Sequence, residues 1–241
     1  MPEKLNLNNA YALLIGVSGE DISATVADAK ALQKILVDKK LSAYPKENVF
    51  LLTEKKATRD NVVKHLDLIA KKIKGKEDAT VFIYYSGHGG RFEKTVRGKQ
   101  TFDYYLLTHG FDLDNPEDTM LNGDDFSKKI DQLAAEKMVV LLDCCHAAGM
   151  KRKGMLIAKG ARAAAKPKKK ISYSNEELIR KLKGGKGRVF ISSCADNEES
   201  VILPGSANSL FTEITLEALR GAASKNSSFV RVIDLMYHVL L

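Results

Sequence analysis

Two kinds of hydrophobic pattern alternate along the chain. YALLIGV (11–17), VFLL (49–52), the apolar part of ATVFIYYSGHGG (79–90), KMVVLLDCC (137–145) and RVFISSC (188–194) are short and apolar with little alternation. Runs of that length predict strands buried on both faces. Between them lie segments of helical period. In TVADAKALQKILVDK (25–39), Val26, Ala29, Leu32, Ile35 and Leu36 fall on one stripe. TRDNVVKHLDLIAKKIK (58–74) is a second amphipathic helix, with Thr58 as its N-cap. DDFSKKIDQLAAE (124–136), residues 175–183 and SLFTEITLEALRG (209–221) predict further helices, and VRVIDLMYHVLL (230–241) begins another. Residues 91–123 read as loops around a strand at 104–108.

Strand and helix alternating in this way predict an α/β protein, a mostly parallel central sheet with helices on both faces. Sites in such sheets form at the carboxyl ends of the strands. Two strand ends carry reactive side chains, YYSGHGG and LLDCCHAAG.

Composition narrows the class. With 44% hydrophobic and 28% charged residues, the 241-residue chain has an ordinary globular balance. No apolar run approaches a membrane span, and MPEKLNLNNA has neither the basic start nor the apolar core of a signal peptide. Cys144, Cys145 and Cys194 do not form a disulfide framework: the count is odd, and sequence neighbours rarely pair with each other. A reducing, cytoplasmic setting is expected. The net charge of +8 raises nucleic acid as a partner. Much of the excess lies in KRKGMLIAKGARAAAKPKKK (151–170), which reads as a solvated loop, so nucleic-acid binding is the weaker alternative.

His88 stands between Gly87 and Gly89, which free the backbone for a sharp turn that presents the imidazole to a cleft. Cys145 ends a second buried strand. Alone, each reads as structural, a strand-end histidine or a small buried hydrophobe. Together they form a nucleophile with a base, because a nearby imidazole supplies thiolate near neutral pH. Neighbouring parallel strands would bring both to one sheet edge, where the N–H groups of Gly89 and Cys145 are candidate oxyanion donors. Zinc on Cys144, Cys145 and His146 is disfavoured, since consecutive side chains point to opposite faces. By the same alternation one cysteine faces the cleft, and the other packs into the core.

YYSGHGG followed by DCCHAAG, with 57 residues from His88 to Cys145, resembles the caspase-like cysteine peptidases of family C14. The Asp-x-Cys-His order is similar to the metacaspases and their bacterial relatives, the orthocaspases. It lacks the Gln-Ala-Cys signature of true caspases, and Ala147 and Ala148 stand where Ser-Gly usually follows. YALLIGV with VADAKAL, and ISSCADNEES with SLFTEITLEALRG, extend the resemblance over nearly the whole chain. It implies a caspase-hemoglobinase-like three-layer sandwich in one domain, 1–241. Residues 1–150 would form a large-subunit-like part, 151–187 a basic linker and 188–241 a small-subunit-like part. The abrupt ending inside a helical pattern leaves room for a missing C-terminal region.

The resemblance further implies a cysteine endopeptidase that cleaves after Arg or Lys, with His88 and Cys145 catalytic. Asp28 and Asp143 match the family's acidic, substrate-binding pocket, and two carboxylates in a partly dry pocket favour a guanidinium or ammonium. Its partners would be proteins or peptides with Arg or Lys before the cut bond, and an activator or regulatory partner. No membrane or nucleic acid is implied. No cofactor is required. Calcium as an activator (Ca2+) is an open alternative: Asp112, Asp124 and Asp125 match in type and order, but the stretch after Cys145 is basic (MKRKG) where the family uses an acid. The linker's many Lys and Arg residues, Lys159 and Arg162 among them, are candidate sites of zymogen self-processing. A catalytically silent caspase-like module that binds a protein partner is the alternative function.

Overall fold

The computed structural model describes residues 7–19, 24–135, 137–144, 156–159, 187–193, 205–223, 230 and 232–240. Its centre is a sheet of six parallel strands in the order β2-β1-β3-β7-β9-β8. The strands are β1 (Ala10–Gly16), β2 (Val49–Thr53), β3 (Thr80–Ser86), β7 (Lys137–Asp143), β8 (Leu156–Lys159) and β9 (Gly187–Ser192). β1, β3 and β7 are interior, and their runs are buried almost from end to end. This is why they read as continuous apolar stretches rather than alternating ones.

Helices cover both faces. α1 (Ala24–Val37), α5 (Leu210–Glu217) and α6 (Val232–Leu240) pack on one side, where Leu14, Leu32, Tyr84, Leu141, Ile191 and Leu216 form a core. α2 (Arg59–Ile73) and α4 (Gly123–Gln132) pack on the other, over Leu13, Ile69, Ile83, Phe126, Val140 and Leu142. The predicted Thr58 cap of α2 is present, its hydroxyl accepting from the Asn61 N–H at 3.4 Å. Each fully buried Leu, Ile or Val side chain contributes about 1.5–3 kcal/mol. Packing on two faces therefore holds the strand ends in place.

Two expectations are corrected. Residues 89–106 form a hairpin, not loops around one strand. β4 (Gly89–Val96) and β5 (Lys99–Leu106) pair antiparallel and continue into the two-residue β6 (Leu121–Asn122), after the short helix α3 (Pro116–Thr119). The turn Arg97–Gly98 has positive φ at both residues, 50° and 74°. That is the geometry of a two-residue hairpin turn. A polar stretch with a single glycine concealed it, because its pairing energy comes from the partner strand. Second, part of the basic linker is not a loop: Leu156–Lys159 runs parallel to β9 as an edge strand. The short Leu-Ile-Ala run has strand propensity that the surrounding lysines masked.

Candidate active site

The carboxyl ends of three strands lie side by side. Gly16 of β1 is opposite Ser86 of β3, and Ser86 is opposite Asp143 of β7. His88 and Cys145 each follow this row by two residues. Strand alternation then sorts the row's neighbours onto two faces. Ser86 and Asp143 turn toward α1 and α5, while Tyr85 and Cys144 turn toward α2 and α4.

On the first face, two buried carboxylates share a set of hydroxyl and amide donors. Asp28, in the third position of the VADAKAL stretch of α1, is 0% exposed, and Asp143 is 2% exposed. Ser86 Oγ donates to Asp28 Oδ2 at 3.0 Å, and the Ser209 N–H donates to Asp28 Oδ1 at 3.0 Å. The Ser209 hydroxyl donates in a short contact to Asp143 Oδ2, and Thr212 Oγ1 lies 3.5 Å from that same oxygen. Ser209 also caps α5, accepting from the Thr212 N–H at 3.0 Å. One serine thus joins both acids to a helix N-terminus, where negative charge is favoured. Behind it the Tyr84 hydroxyl pairs with Thr212 Oγ1 at 2.6 Å.

Burial pushes the Asp28 carboxyl up to about 7, and the neighbouring Asp143 charge adds to the rise. The Ser209 amide and the Ser86 hydroxyl oppose it without cancelling it. Burial, with Asp143 and Asp28 nearby, also pushes the Tyr84 phenol well above its ordinary value. One helical turn before Asp28, the buried Thr25 hydroxyl has no hydrogen-bond partner among the described residues.

The turn that carries His88 is anchored from several directions. The Val17 N–H donates to the Ser86 carbonyl at 2.9 Å, and the Gly87 N–H donates to the Asp143 carbonyl at 3.2 Å. The Leu107 N–H donates to the His88 carbonyl at 3.0 Å. That bond sets Gly89 and Leu106 as a non-hydrogen-bonded pair, so the Gly89 N–H points away from β5. His88 itself is half-buried. Cys144 is 1% exposed and sits in the core with Leu142 and Tyr85, so one of the two adjacent cysteines is the packing residue that alternation required. Cys145 lies outside the described residues, as do His146 and Cys194.

A family model, described as the caspase domain of peptidase C14, matches residues 9–239. The chain belongs to this caspase domain family. No curated protein sequence matches it. Among solved structures, it is similar to the crystal structure of a protein from Geobacter sulfurreducens, at 20% identity and a TM-score of 0.57. The match covers 89% of this chain and 83% of that one. That likeness concerns the fold alone, and it agrees with the three-layer arrangement described above.

For a caspase domain, the structure brings Asp28 and Asp143 together and sets His88 two residues beyond the same edge. It does not bring together the three acids considered for calcium. Asp112 closes a loop, its carboxylate accepting from the Asp114 N–H at 2.9 Å. Asp124 and Asp125 form the first turn of α4, capped by Asn122, and Lys128 pairs with Asp125 at 2.9 Å. Among the described residues, no group of three or more His, Cys, Asp or Glu is placed to hold a metal ion. Of the linker's basic residues, Lys159 ends β8, and the others lie outside the described residues. Among the described residues, no helix is long and apolar enough to cross a membrane.

Sequence reasoning did not reach Ser209, Thr212, Ser86, Tyr84 or Thr25. Ser209 carried one signal, a serine at a predicted helix start. What its hydroxyl meets is set by a residue 66 positions away.

Proposed function

We propose that this caspase domain is a cysteine endopeptidase of the metacaspase or orthocaspase type that cleaves peptide bonds after Arg or Lys. The observation that carries the reading is the buried pair Asp28–Asp143, set at the strand ends that lead into His88 and Cys145. Two carboxylates in a dry site select a cation, and the planar fork of arginine best of all. A substrate cation supplies the charge that such a pair is otherwise strained to hold, and the Thr25 oxygen is a further acceptor within a helical turn. Cys145 attacks the carbonyl carbon as thiolate. His88 takes the thiol proton and returns a proton to the leaving amine. The N–H groups of Gly89 and Cys145 receive the developing oxyanion, and the orientation of the Gly89 N–H away from β5 supports that role. Water then releases the acyl group from the thioester. Self-processing in the basic linker belongs to the same specificity.

Two fluorogenic peptides test this, one with Arg and one with Asp before the reporter, each with and without calcium. Wild type is expected to cleave the Arg peptide alone, and Cys145→Ala to abolish the cleavage. Cleavage of the Asp peptide would overturn the pocket assignment. Equal cleavage by Cys145→Ala would overturn the nucleophile. A rate unchanged by calcium would remove calcium as an activator.

A further inference from the structure

Glycine on both sides makes residue 88 an intrinsically loose place to mount a base, because glycine gives the backbone its widest freedom. Something must hold the turn. Tyr85 is placed to do so. Its ring is 1% exposed and packs in the core with Leu106, Leu142 and Cys144. Its hydroxyl lies 2.7 Å from the His88 carbonyl oxygen and 2.6 Å from the Leu107 carbonyl oxygen. A phenol carries one hydrogen, so the two acceptors share it in a three-centre bond. The His88 carbonyl also accepts from the Leu107 N–H, so both of its lone pairs are engaged. The chain has thus folded back over the tyrosine that precedes it and is tied there to the end of the β4–β5 hairpin.

Gly87 records the closeness of this contact. A Cβ at residue 87 would stand 2.6 Å from the Tyr85 oxygen and 2.9 Å from Cζ. The glycine before the histidine is required because the phenol occupies that space. On its other side the Gly87 N–H reaches Asp143, two residues before Cys145. Burial pushes the Tyr85 phenol well above its ordinary range, with the neighbouring Cys144 adding to the rise, so it stays a donor at any working pH. Phenylalanine would fill the same volume, so the hydroxyl has a task that packing does not explain.

We propose that Tyr85 is the positioning residue for His88: its hydroxyl clamps the His88 and Leu107 carbonyls and fixes the turn that presents the imidazole. The catalytic consequence rests on the reading of His88 as the base; the clamp itself does not.

The test compares wild type, Tyr85→Phe and Tyr11→Phe in the full chain. Tyr11 is the control, a second buried phenol in the same core, whose hydroxyl meets Lys76 at 2.6 Å. Amide hydrogen exchange is read at residues 86–90 and 107, and kcat, KM and the pH profile are read on the Arg peptide. Tyr85→Phe is expected to speed exchange at the turn at least tenfold. It should lower kcat by about tenfold or more, leave KM within about twofold and move the acid limb of the pH profile. Tyr11→Phe should change none of these. Gly87→Ala, which drives a methyl group against the phenol without removing it, should loosen the same amides. Unchanged exchange at the turn in Tyr85→Phe overturns the proposal, even if activity falls. Were wild type to cleave neither peptide, the peptidase reading would fail. The exchange result would still decide the clamp, with loosening upholding it and protection refuting it.

Discussion

The two faces of the sheet meet at one carboxyl edge and bring opposite chemistry to it. The face under α1 and α5 is polar at its end: two buried acids, the hydroxyls of Ser86, Ser209 and Thr212 against them, and a helix N-terminus. The face under α2 and α4 is apolar as far as Cys144 among the described residues, and the Tyr85 hydroxyl at that end is held by backbone carbonyls. The first face buries two carboxyl groups at the strand ends. The second spends its packing on holding a turn still. Under the proposed function, a substitution on the first face should therefore change what is bound, and one on the second how well the His88 turn is held.

The largest expected effect lies on the polar face. Asp143→Asn keeps the shape of the site and removes one charge. The kcat/KM for the Arg peptide should fall by about a hundredfold or more, since losing one partner of a buried ion pair costs about 3–5 kcal/mol. Alkylation of Cys145 by a small thiol reagent should persist. Loss of alkylation together with hydrolysis would mean that the acid serves the nucleophile rather than the substrate, and the division between the faces would break.

Asp28→Asn sharpens the same comparison through stability. The folded-state value of Asp28 is about 7, raised from 3.8. The folded protein therefore holds this proton more tightly than the unfolded chain does. Its contribution to stability is full below about pH 4 and is lost as pH rises to about 7. Asparagine does not titrate. The variant should match wild type near pH 4 and exceed it at pH 8 by on the order of 2–4 kcal/mol, as read by urea unfolding at both pH values. A variant less stable than wild type at pH 8 would show that the acid pair is not strained when empty.

The smallest effect on activity is expected on the apolar face. Cys144→Ala should cost about 1–2 kcal/mol in unfolding free energy and leave kcat/KM for the Arg peptide within about threefold. A large loss of kcat/KM with little loss of stability would make Cys144, not Cys145, the nucleophile.

Much of this was legible in the chain. β1, β3 and β7 announced themselves because strands buried on both faces must be apolar throughout, and α1 and α2 because one face of each is buried at helical period. The hairpin at 89–106 was hidden, since its strands are half-exposed and its turn depends on two positive φ angles that only Gly98 hinted at. The strand 156–159 was hidden by the basic residues around it. His88, Asp28 and Asp143 were visible as residue types at strand ends or on helices, and alternation required that one of Cys144 and Cys145 turn inward, which the structure assigns to Cys144.

By itself, then, the sequence determined the layers, the strand ends that matter and the chemistry available there, because hydrophobic period and residue type are local properties. Only the tertiary structure decided that Ser209 bridges Asp28 and Asp143, that burial lifts Asp28 to about 7, and that the Tyr85 hydroxyl ties His88 to Leu107. Each of these depends on groups from different elements meeting where water is excluded, and no spacing along the chain encodes the dielectric or the neighbour that folding supplies.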